Sequence, residues 1–411
     1  MVVTGVIAEY NPFHNGHLHQ LAHAKDATGA DYMIVVMSGD YTQRGEPALM
    51  SKYDRARMAL ESGADLVIEL PVVFATGSAE YFAKGAVSIL KHLGVVDHIA
   101  FGSECGDIEA LTALADILLH ETPQYQSLLR SYLKSGLSYP QARMNALETL
   151  YPEFPNLNEI LSSPNNILGI EYIKALRLFD SAIRPYTEVR VGSSYHAKRL
   201  SESYSSALSI RQSIENDCTL LMIQNQVPPQ VFRILQRKSG RTYPISPDDY
   251  SAMLQYKLIT ERRHGYSQFY DVSEEFGDRV SNLLDTYTGF QDFSFALKTK
   301  DMTYTRVCRS LLHILLNIRQ SDVNAFCEAG YAQYIRILGF REDAAPLLGE
   351  IASRASIPVI TQPADYLKQE DSLLRRQLEQ DIDATCLYQS VVANKFHTEY
   401  ENELTRRMMK I

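Results

Sequence analysis

Short apolar runs alternate with longer amphipathic segments through the first hundred residues of the chain. The runs have the nearly unbroken apolar character of strands that are buried on both faces of a sheet. The predicted strands cover residues 2–9, 32–37, 65–70 and 98–101. The predicted helices between them cover residues 16–28, 51–62 and 78–93. Strands separated by helices of this length form βαβ units, so we expect an α/β fold with a parallel sheet covered on both faces.

The alternation fades along the rest of the chain. Residues 108–178 have a mostly helical pattern, residues 187–191 predict one more strand, and a further helix covers residues 206–216. After about residue 230, amphipathic helical patterns dominate, at residues 251–263, 272–284, 304–319 and 372–387. Pro228-Pro229 offers a linker. We therefore predict an α/β domain over residues 1–230 and a mostly α-helical C-terminal domain over residues 231–411.

Composition narrows the class of protein. The 411 residues are 45% hydrophobic and 22% charged, as in an ordinary globular protein, and carry a net charge of −9. This charge argues against a general nucleic-acid coat protein but leaves a local basic groove open. The N-terminus turns polar too soon for a secretory signal, and no apolar stretch is long enough to span a membrane. The five cysteines lack paired spacing, so we expect free thiols, no zinc site and a reducing cytoplasm.

The strongest chemical signal is a pair of histidines between the first strand and the first helix. His14 and His17 flank Gly16 on the first helical turn, where ligands of open α/β sheets bind. Residues three apart project side by side on a helix, and two imidazoles there can donate to phosphate oxygens. The alternative is that both residues merely cap the helix. The glycine and the strand-turn-helix setting favour a site that stabilises charge on the α-phosphate of ATP.

Other polar segments have two interpretations each. Ser206 and Arg211 stand at the start of a helix, where hydroxyls and N–H groups bind anions, although Ser is also a preferred N-cap. Gln43 and Arg44 follow the second strand, at the edge of the sheet where the nucleotide is expected. Arg44 could hold phosphate or RNA, or be a solvated loop cation. The same ambiguity applies to two basic residues of the next helix, Lys52 and Arg55.

The motifs together resemble one family. His-x-Gly-His after the first strand is similar to the nucleotidyltransferase superfamily, and its flanking residues 8–17 resemble the tRNA(Met) cytidine acetate ligase family. Four further segments match this family in order and spacing, at residues 37–47, 163–169, 303–309 and 334–340. The resemblance implies a Rossmann-like nucleotidyltransferase domain over residues 1–230. It also implies activation of acetate by ATP, with release of pyrophosphate, and transfer of the acetyl group to the wobble cytidine of elongator tRNA(Met).

The resemblance also implies site residues. Catalytic roles are expected for His14, His17, Gln43 and Arg44. ATP contacts are expected from Ile7, Ala8, Glu9, Tyr10, Asn11, Pro12, Phe13, His14, Asn15, Gly16, His17, Leu18, His19, Gln20, Gly102, Asn165, Arg190, Ser206 and Arg211. Magnesium is expected as the counterion of ATP, held mainly by phosphates and water.

Three basic clusters are candidates for RNA contact. The first two, residues 233–241 and 262–264, have the pattern of solvated helix faces. The third also lies in a segment that matches the family, and it comprises Lys298, Lys300, Tyr304, Arg306 and Arg309. Basic groups neutralise phosphates and an aromatic ring can stack an unpaired base, so we expect tRNA contact here.

Two other functions remain open at this point. A small-molecule adenylyltransferase or adenylate-forming ligase shares the histidine motif, although the long helical half would be unneeded for a small substrate. An RNA-binding protein that is only regulated by its nucleotide would also show these features. Acetate and elongator tRNA(Met) are the expected partners, no association with a membrane is expected, and the oligomeric state is left open.

Overall fold

The computed structural model describes residues 1–190, 205–215, 220–367 and 372–411. Within these residues an eight-stranded sheet forms the centre of the fold, in the order β5-β4-β1-β2-β3-β6-β7, with β8 also paired to β6. The strands are β1 Val3–Ala8, β2 Tyr32–Ser38, β3 Leu66–Leu70, β4 His98–Ser103, β5 Arg184–Val189, β6 Ile335–Phe340, β7 Val359–Ile360 and β8 Met409–Lys410. The first five are mutually parallel, which confirms the predicted α/β fold.

Helices surround the sheet. Those in the first half are α1 Asn15–Thr28, α2 Lys52–Leu60, α3 Val72–Ala75, α4 Ala79–His92, α5 Ile108–Leu119, α6 Pro123–Lys134, α7 Tyr139–Leu150, α8 Leu157–Ser162, α9 Pro164–Leu178 and α10 Ala207–Glu215. Those in the second half are α11 Pro229–Lys238, α12 Ser251–Glu261, α13 Glu274–Leu283, α14 Phe290–Leu297, α15 Tyr304–Leu315, α16 Gln320–Glu328, α17 Ala345–Arg354 and α18 Leu373–Phe396. The early elements lie close to their predicted bounds. Val191 and Asn216, which end the predicted fifth strand and following helix, lie outside the described residues.

The strand order creates a crevice at β1. The chain winds from β1 to β2 and β3 on one side, and then crosses to place β4 on the other side of β1. At such a reversal, the loops that follow the two central strands diverge and leave room for a ligand. The loops here are the one after Ala8, which carries the histidine pair, and the one after Ser103. The fold therefore places the predicted site at the switch point of the sheet.

Both faces of the central strands are covered, which explains their unbroken apolar sequence. In β2, Ile34 and Val36 face the core that contains α4 and α9, while Met33, Val35 and Met37 face the core beneath α1 and α2. All five side chains are fully buried. Period-two alternation with apolar residues on each side is the pattern of a strand between two helical layers.

The second half of the chain is not purely helical. It returns to the sheet through β6, which pairs antiparallel with β3, and β6 also holds β7 and β8. The sequence pattern missed β6 because the charged Arg336 interrupts its apolar run. In the structure Arg336 is only 3% exposed. Residues after 230 thus complete the sheet that residues 1–70 begin, and the division at residue 230 separates two halves that share one sheet.

Arg336 is buried as part of a four-residue group that we call the buried ion cluster, formed by Lys52, Glu69, Arg336 and Glu403. Lys52 Nζ lies 2.7 Å from Glu69 Oε1 and 2.7 Å from Glu403 Oε1. Arg336 pairs with both carboxylates, at 3.2 Å for Glu69. The four side chains are at most 4% exposed, and their two positive and two negative charges balance. Buried charges of this kind are tolerated only when every one is paired.

Candidate active site

The loop from β1 into α1 is shaped by buried hydrogen bonds. Tyr10 adopts φ 48°, in the left-handed region, and turns the chain out of the strand. Arg55 of α2 is fully buried, and its guanidinium donates to the carbonyl oxygens of Glu9, Ser38 and Met50. Arg55 is therefore neither a solvated cation nor a free phosphate ligand, the two alternatives that the sequence left open. Its hydrogen bonds hold the loop after β1 against the carboxyl end of β2.

The two histidines form a reciprocal cap at the start of α1. His14 is the N-cap residue, and its Nδ1 accepts from the Gly16 backbone N–H at 3.0 Å. The backbone N–H of His14 in turn donates to His17 Nδ1 at 3.2 Å. The rings stack with centroids 3.7 Å apart. Since both Nδ1 atoms accept hydrogen bonds, the proton of each neutral ring lies on Nε2. Capping and function are therefore not alternatives, because the caps orient two Nε2–H donors.

Both imidazoles are held neutral. Burial, and then the charges of Arg190 and Arg211, lower the pKa of His14 to about 3. Burial, His14 and Arg190 also lower the pKa of His17 well below its usual range. At neutral pH each ring is thus a neutral donor, and the positive charge of the site comes from the arginines.

This shift predicts a pH-dependent stability. An unfolded imidazole titrates near pH 6.5, so between about pH 3 and 6.5 the unfolded chain binds more protons than the folded one at His14. The stability that this group contributes is complete above about pH 6.5 and is lost as the pH is lowered towards 3. Between pH 7 and 5 we expect wild type to lose on the order of 1–2 kcal/mol more unfolding free energy than His14→Asn, measured by urea denaturation. Equal losses in the two proteins would contradict a depressed pKa at His14.

A second wall of the site comes from β4, β5 and α9. Glu104 accepts from the Asn165 side chain at 2.6 Å and from the Asn166 backbone N–H at 2.9 Å. Asn165 Oδ1 in turn accepts from Arg190 Nη1 at 3.0 Å, and the Arg190 side chain lies over Gly102. The Glu104 carboxylate therefore anchors the start of α9.

The third wall is the start of α10 together with the loop after β2. Ser206 Oγ accepts from the Ser209 backbone N–H at 3.1 Å, so this serine caps α10. Arg211 is buried, and its Nη1 donates to the Asn11 carbonyl oxygen at 2.7 Å. Gln43 donates its backbone N–H to Glu9 Oε1 at 2.8 Å. These bonds tie the three loops around the histidine pair.

Most predicted ATP contacts line two adjoining pockets that share six residues, and we refer to them as the two arms of one cavity. The arms share His14, His17, Gln20, Gly102, Arg190 and Ser206. The first arm, which we call the α1 groove, adds Gly16, His19, Glu188, Val189 and Ser205. The second arm adds Ile7, Ala8, Glu9, Tyr10, Asn11, Gln43, Arg44, Phe82, Phe101, Asn165, Leu168, Tyr172, Ala207, Leu208 and Arg211. Four predicted positions, Pro12, Phe13, Asn15 and Leu18, do not line it. Phe13 is fully buried in the core, and the Asn15 side chain donates to the Asn225 carbonyl oxygen.

Sequence reasoning missed four side chains of the second arm, three of them apolar and one a tyrosine, which we call the aromatic end. These are Phe82, Phe101, Leu168 and Tyr172. They have the ordinary spacing of core residues on α4, β4 and α9, and no feature of the sequence distinguishes a core position from a cavity wall. Their part in the site follows from the fold alone.

The predicted tRNA cluster lies beside the loop after β2. Gly45 (φ 78°) lies against α15, where a Cβ at this position would clash with the Arg309 backbone nitrogen. The ring of Tyr304 stacks on Phe295 of α14, with centroids 4.4 Å apart, and Phe295 is 60% exposed. Lys298 and Lys300 are exposed. The Lys300 side chain donates to the Gly136 carbonyl oxygen, while Arg306 pairs with Asp271 at 2.9 Å and Arg309 lies 4.0 Å from the same carboxylate.

Some chemistries have no counterpart in the part of the chain that the structure describes. No group of three or more His, Cys, Asp or Glu side chains there could hold a metal ion. Cys105, Cys308, Cys327 and Cys386 are free thiols, and Cys218 lies outside the described residues. None of the described helices combines the length and apolarity that a membrane span requires.

Comparison with known proteins assigns the family. The chain matches the HIGH Nucleotidyl Transferase family over residues 1–403. A tRNA(Met) cytidine acetate ligase of Acetivibrio thermocellus is 40% identical over 415 residues and covers all of both chains. That of Caldanaerobacter subterraneus subsp. tengcongensis is 42% identical over 391 residues, 94% of this chain and 95% of the relative.

Solved structures agree. The apo crystal structure of Thermotoga maritima TmcAL superposes with a TM-score of 0.92 at 33% identity, over all of both chains. The same protein bound with alpha-thio ATP gives a TM-score of 0.90 at 34% identity, again over all of both chains. The chain therefore belongs to the HIGH nucleotidyl transferases and, among them, to the tRNA(Met) cytidine acetate ligase family.

Proposed function

We propose that this protein activates acetate with ATP and transfers the acetyl group to the N4 amine of the wobble cytidine of elongator tRNA(Met). The observation that carries the proposal is the pair of neutral, stacked imidazoles at the switch point, oriented by their caps with Nε2–H available as a donor. Arg190 and Arg211, close enough to lower the pKa of His14, add the positive charge that a triphosphate requires. The activity matches the names of the relatives.

The first step joins acetate to AMP. A carboxylate oxygen of acetate attacks the α-phosphorus of ATP, the bond to the β-phosphate breaks, and pyrophosphate leaves. Charge builds on the α-phosphate oxygens and on the leaving group as this happens. Fixed donors that already point at those oxygens stabilise the transition state without reorganisation. His14 and His17 have this role in our proposal, while Arg44, Ser206 and Arg211 hold the departing pyrophosphate.

The second step forms an amide. The N4 amine of cytidine attacks the acetyl carbonyl carbon, AMP leaves with the electrons of the C–O bond, and the amine loses a proton. The target base must be unstacked to reach the intermediate. We assign residues 1–230 the chemistry and residues 231–411 the tRNA contacts, and we place the enzyme with its tRNA in the cytoplasm. Magnesium would enter with ATP, held by its phosphates and water.

The decisive assay uses purified protein with ATP, magnesium and labelled acetate, with and without an unmodified elongator tRNA(Met) transcript. The RNA is then digested to nucleosides for mass spectrometry. We expect acetylcytidine at the wobble position only when all components are present. Acetate-dependent pyrophosphate exchange without acetylated RNA would retain the activation step and overturn the acceptor. Binding of tRNA with neither reaction would indicate a nucleotide-regulated RNA-binding protein instead.

The stacked pair Phe295 and Tyr304 yields a prediction about tRNA. A base stacked on an exposed aromatic ring is worth about 1–3 kcal/mol, so Phe295→Ala should raise the KM for tRNA about tenfold. Acetate-dependent pyrophosphate exchange without tRNA should be unchanged, since Phe295 does not line the cavity. Tyr400→Ala, at another exposed aromatic residue (45% exposed), is the matched control and should leave both values unchanged. An unchanged KM for tRNA in Phe295→Ala would remove this surface from the tRNA site.

A further inference from the structure

The two arms of the cavity differ in chemical character, and the difference suggests what each one holds. To the residues that both arms share, the α1 groove adds the polar side chains of His19, Glu188 and Ser205. The aromatic end of the second arm is formed by Phe82, Phe101 and Leu168, which have no polar side-chain atom, and by Tyr172. The histidine pair belongs to both arms, so we expect the reacting phosphate to lie where they meet.

The walls of the aromatic end are fixed. Phe101 is 5% exposed, Phe82 3% and Tyr172 4%. The Phe101 ring packs directly on the backbone of Gly169, where a Cβ would lie 2.5 Å from Cε2 of the ring. The Phe101 and Tyr172 rings are tilted against each other with centroids 5.6 Å apart. These side chains continue directly into the core beneath α4 and α9, so the space between them cannot widen easily.

The polarity of this end selects its occupant. The side chains of Phe82, Phe101 and Leu168 offer an adenine no hydrogen-bond partner, and unpaired polar groups are costly in a buried site. A methyl group has no such requirement. Gln43 and Arg44 line the same arm, and their loop contacts α15 through Gly45. A tRNA held at Phe295 and Tyr304 would therefore bring its cytosine to the side of Gln43 and Arg44, not to the aromatic end.

We propose that the aromatic end is the acyl pocket of this enzyme: it holds the methyl group of acetate and limits the length of the carboxylic acid that can be activated. The inference rests on the proposed function. The carboxylate of acetate then faces the histidine pair, and the adenosine of ATP lies in the α1 groove. A longer chain would have to displace Phe82 or Phe101 from the core.

The test is carboxylate-dependent ATP–pyrophosphate exchange with acetate, propionate and butyrate, without tRNA. In wild type we expect acetate to be preferred over propionate by about 10–100-fold in kcat/KM, as one methylene in a tight apolar pocket allows. Phe82→Ala should shrink this ratio about tenfold or more, and the KM for ATP should stay within about twofold. Leu168 is only half-buried, so Leu168→Ala is a milder change and gives the same comparison if Phe82→Ala fails to fold. Phe74→Ala is the matched control, since Phe74 is a fully buried phenylalanine outside the cavity.

Three results would overturn the acyl pocket. If wild type used acetate and propionate equally well, the pocket would impose no limit on the length of the acid. A KM for ATP raised tenfold in Phe82→Ala, with unchanged acid preference, would place adenine at the aromatic end. An unchanged acid preference in both folded variants would leave these residues as core alone. Failure of the proposed function is a separate result, because wild type would then show no carboxylate-dependent exchange with any acid.

Discussion

Replacing His14 with asparagine should lower acetate-dependent pyrophosphate exchange about 10²–10³-fold while α1 remains capped. The magnitude is that of removing one preorganised donor from a developing oxyanion. Asparagine is an effective N-cap residue, and its side-chain oxygen can accept from the Gly16 N–H as His14 Nδ1 does. The substitution therefore removes Nε2–H and the ring that stacks on His17, but it retains the cap. Exchange kinetics, with the unfolding free energy measured alongside, separate the loss of a catalytic donor from the loss of a cap.

His23→Asn is the control for this experiment. His23 also lies on α1, but it lines neither arm of the cavity and has no part in the cap. It should leave the rate of exchange at saturating ATP within a few-fold of wild type. If His14→Asn kept wild-type exchange, the histidine pair would be a capping device only, and the proposed chemistry would lose its main support.

Replacing Lys52 with methionine should produce the largest loss of stability, about 3–5 kcal/mol, the usual cost of breaking a buried ion pair. Burial and Arg336 act to lower the pKa of Lys52, but Glu403 and Glu69 outweigh them and raise it. Burial would raise the pKa of Glu403, yet Lys52 and Arg336 lower it to about 2. Lys52→Met therefore leaves two buried carboxylates facing one guanidinium. Chemical denaturation of the variant and the wild type measures the effect.

A double-substituted protein tests whether charge balance is the cause. Lys52→Met with Glu403→Gln retains the single pair Glu69–Arg336, at 3.2 Å, and restores neutrality. We expect the double variant to lose less stability than the sum of the two single variants, with a coupling of at least about 1 kcal/mol. Strict additivity would show that each side chain stabilises the core by packing rather than through its charge.

The sequence predicted the parallel half of the fold because its physical signals are local. Residues 32–37 are apolar on both faces, and the helices end at glycines such as Gly29 (φ 62°), so β2 and α1 lie close to their predicted bounds. The strand β6 could not be predicted in this way. Its Arg336 is buried only because Glu69 and Glu403, 267 and 67 residues away, neutralise it. No window of sequence contains that information.

The site divides in the same manner. The His14–Gly16–His17 turn is a contiguous motif whose spacing carries its chemistry, and the structure places it at the switch point. The roles of Lys52 and Arg55 could not be resolved from sequence, because a cation on a helix has the same pattern whether it faces solvent or the core. The aromatic end was missed for the converse reason, since Phe82 and Leu168 have the spacing of ordinary core residues.

The return of the chain to its own beginning has a consequence for synthesis on the ribosome. β3 is complete by Leu70, but the strand that covers its outer edge starts at Ile335, and β8 and Glu403 follow later still. Until then a growing chain presents an unpaired apolar edge, and Lys52 and Glu69 lack two of their partners. Such long-range pairing slows folding and leaves edges open to association with other chains. Helix α2, whose Arg55 holds the loop after β1, therefore gains the last ion-pair partner of its Lys52 only when nearly all of the protein has been made.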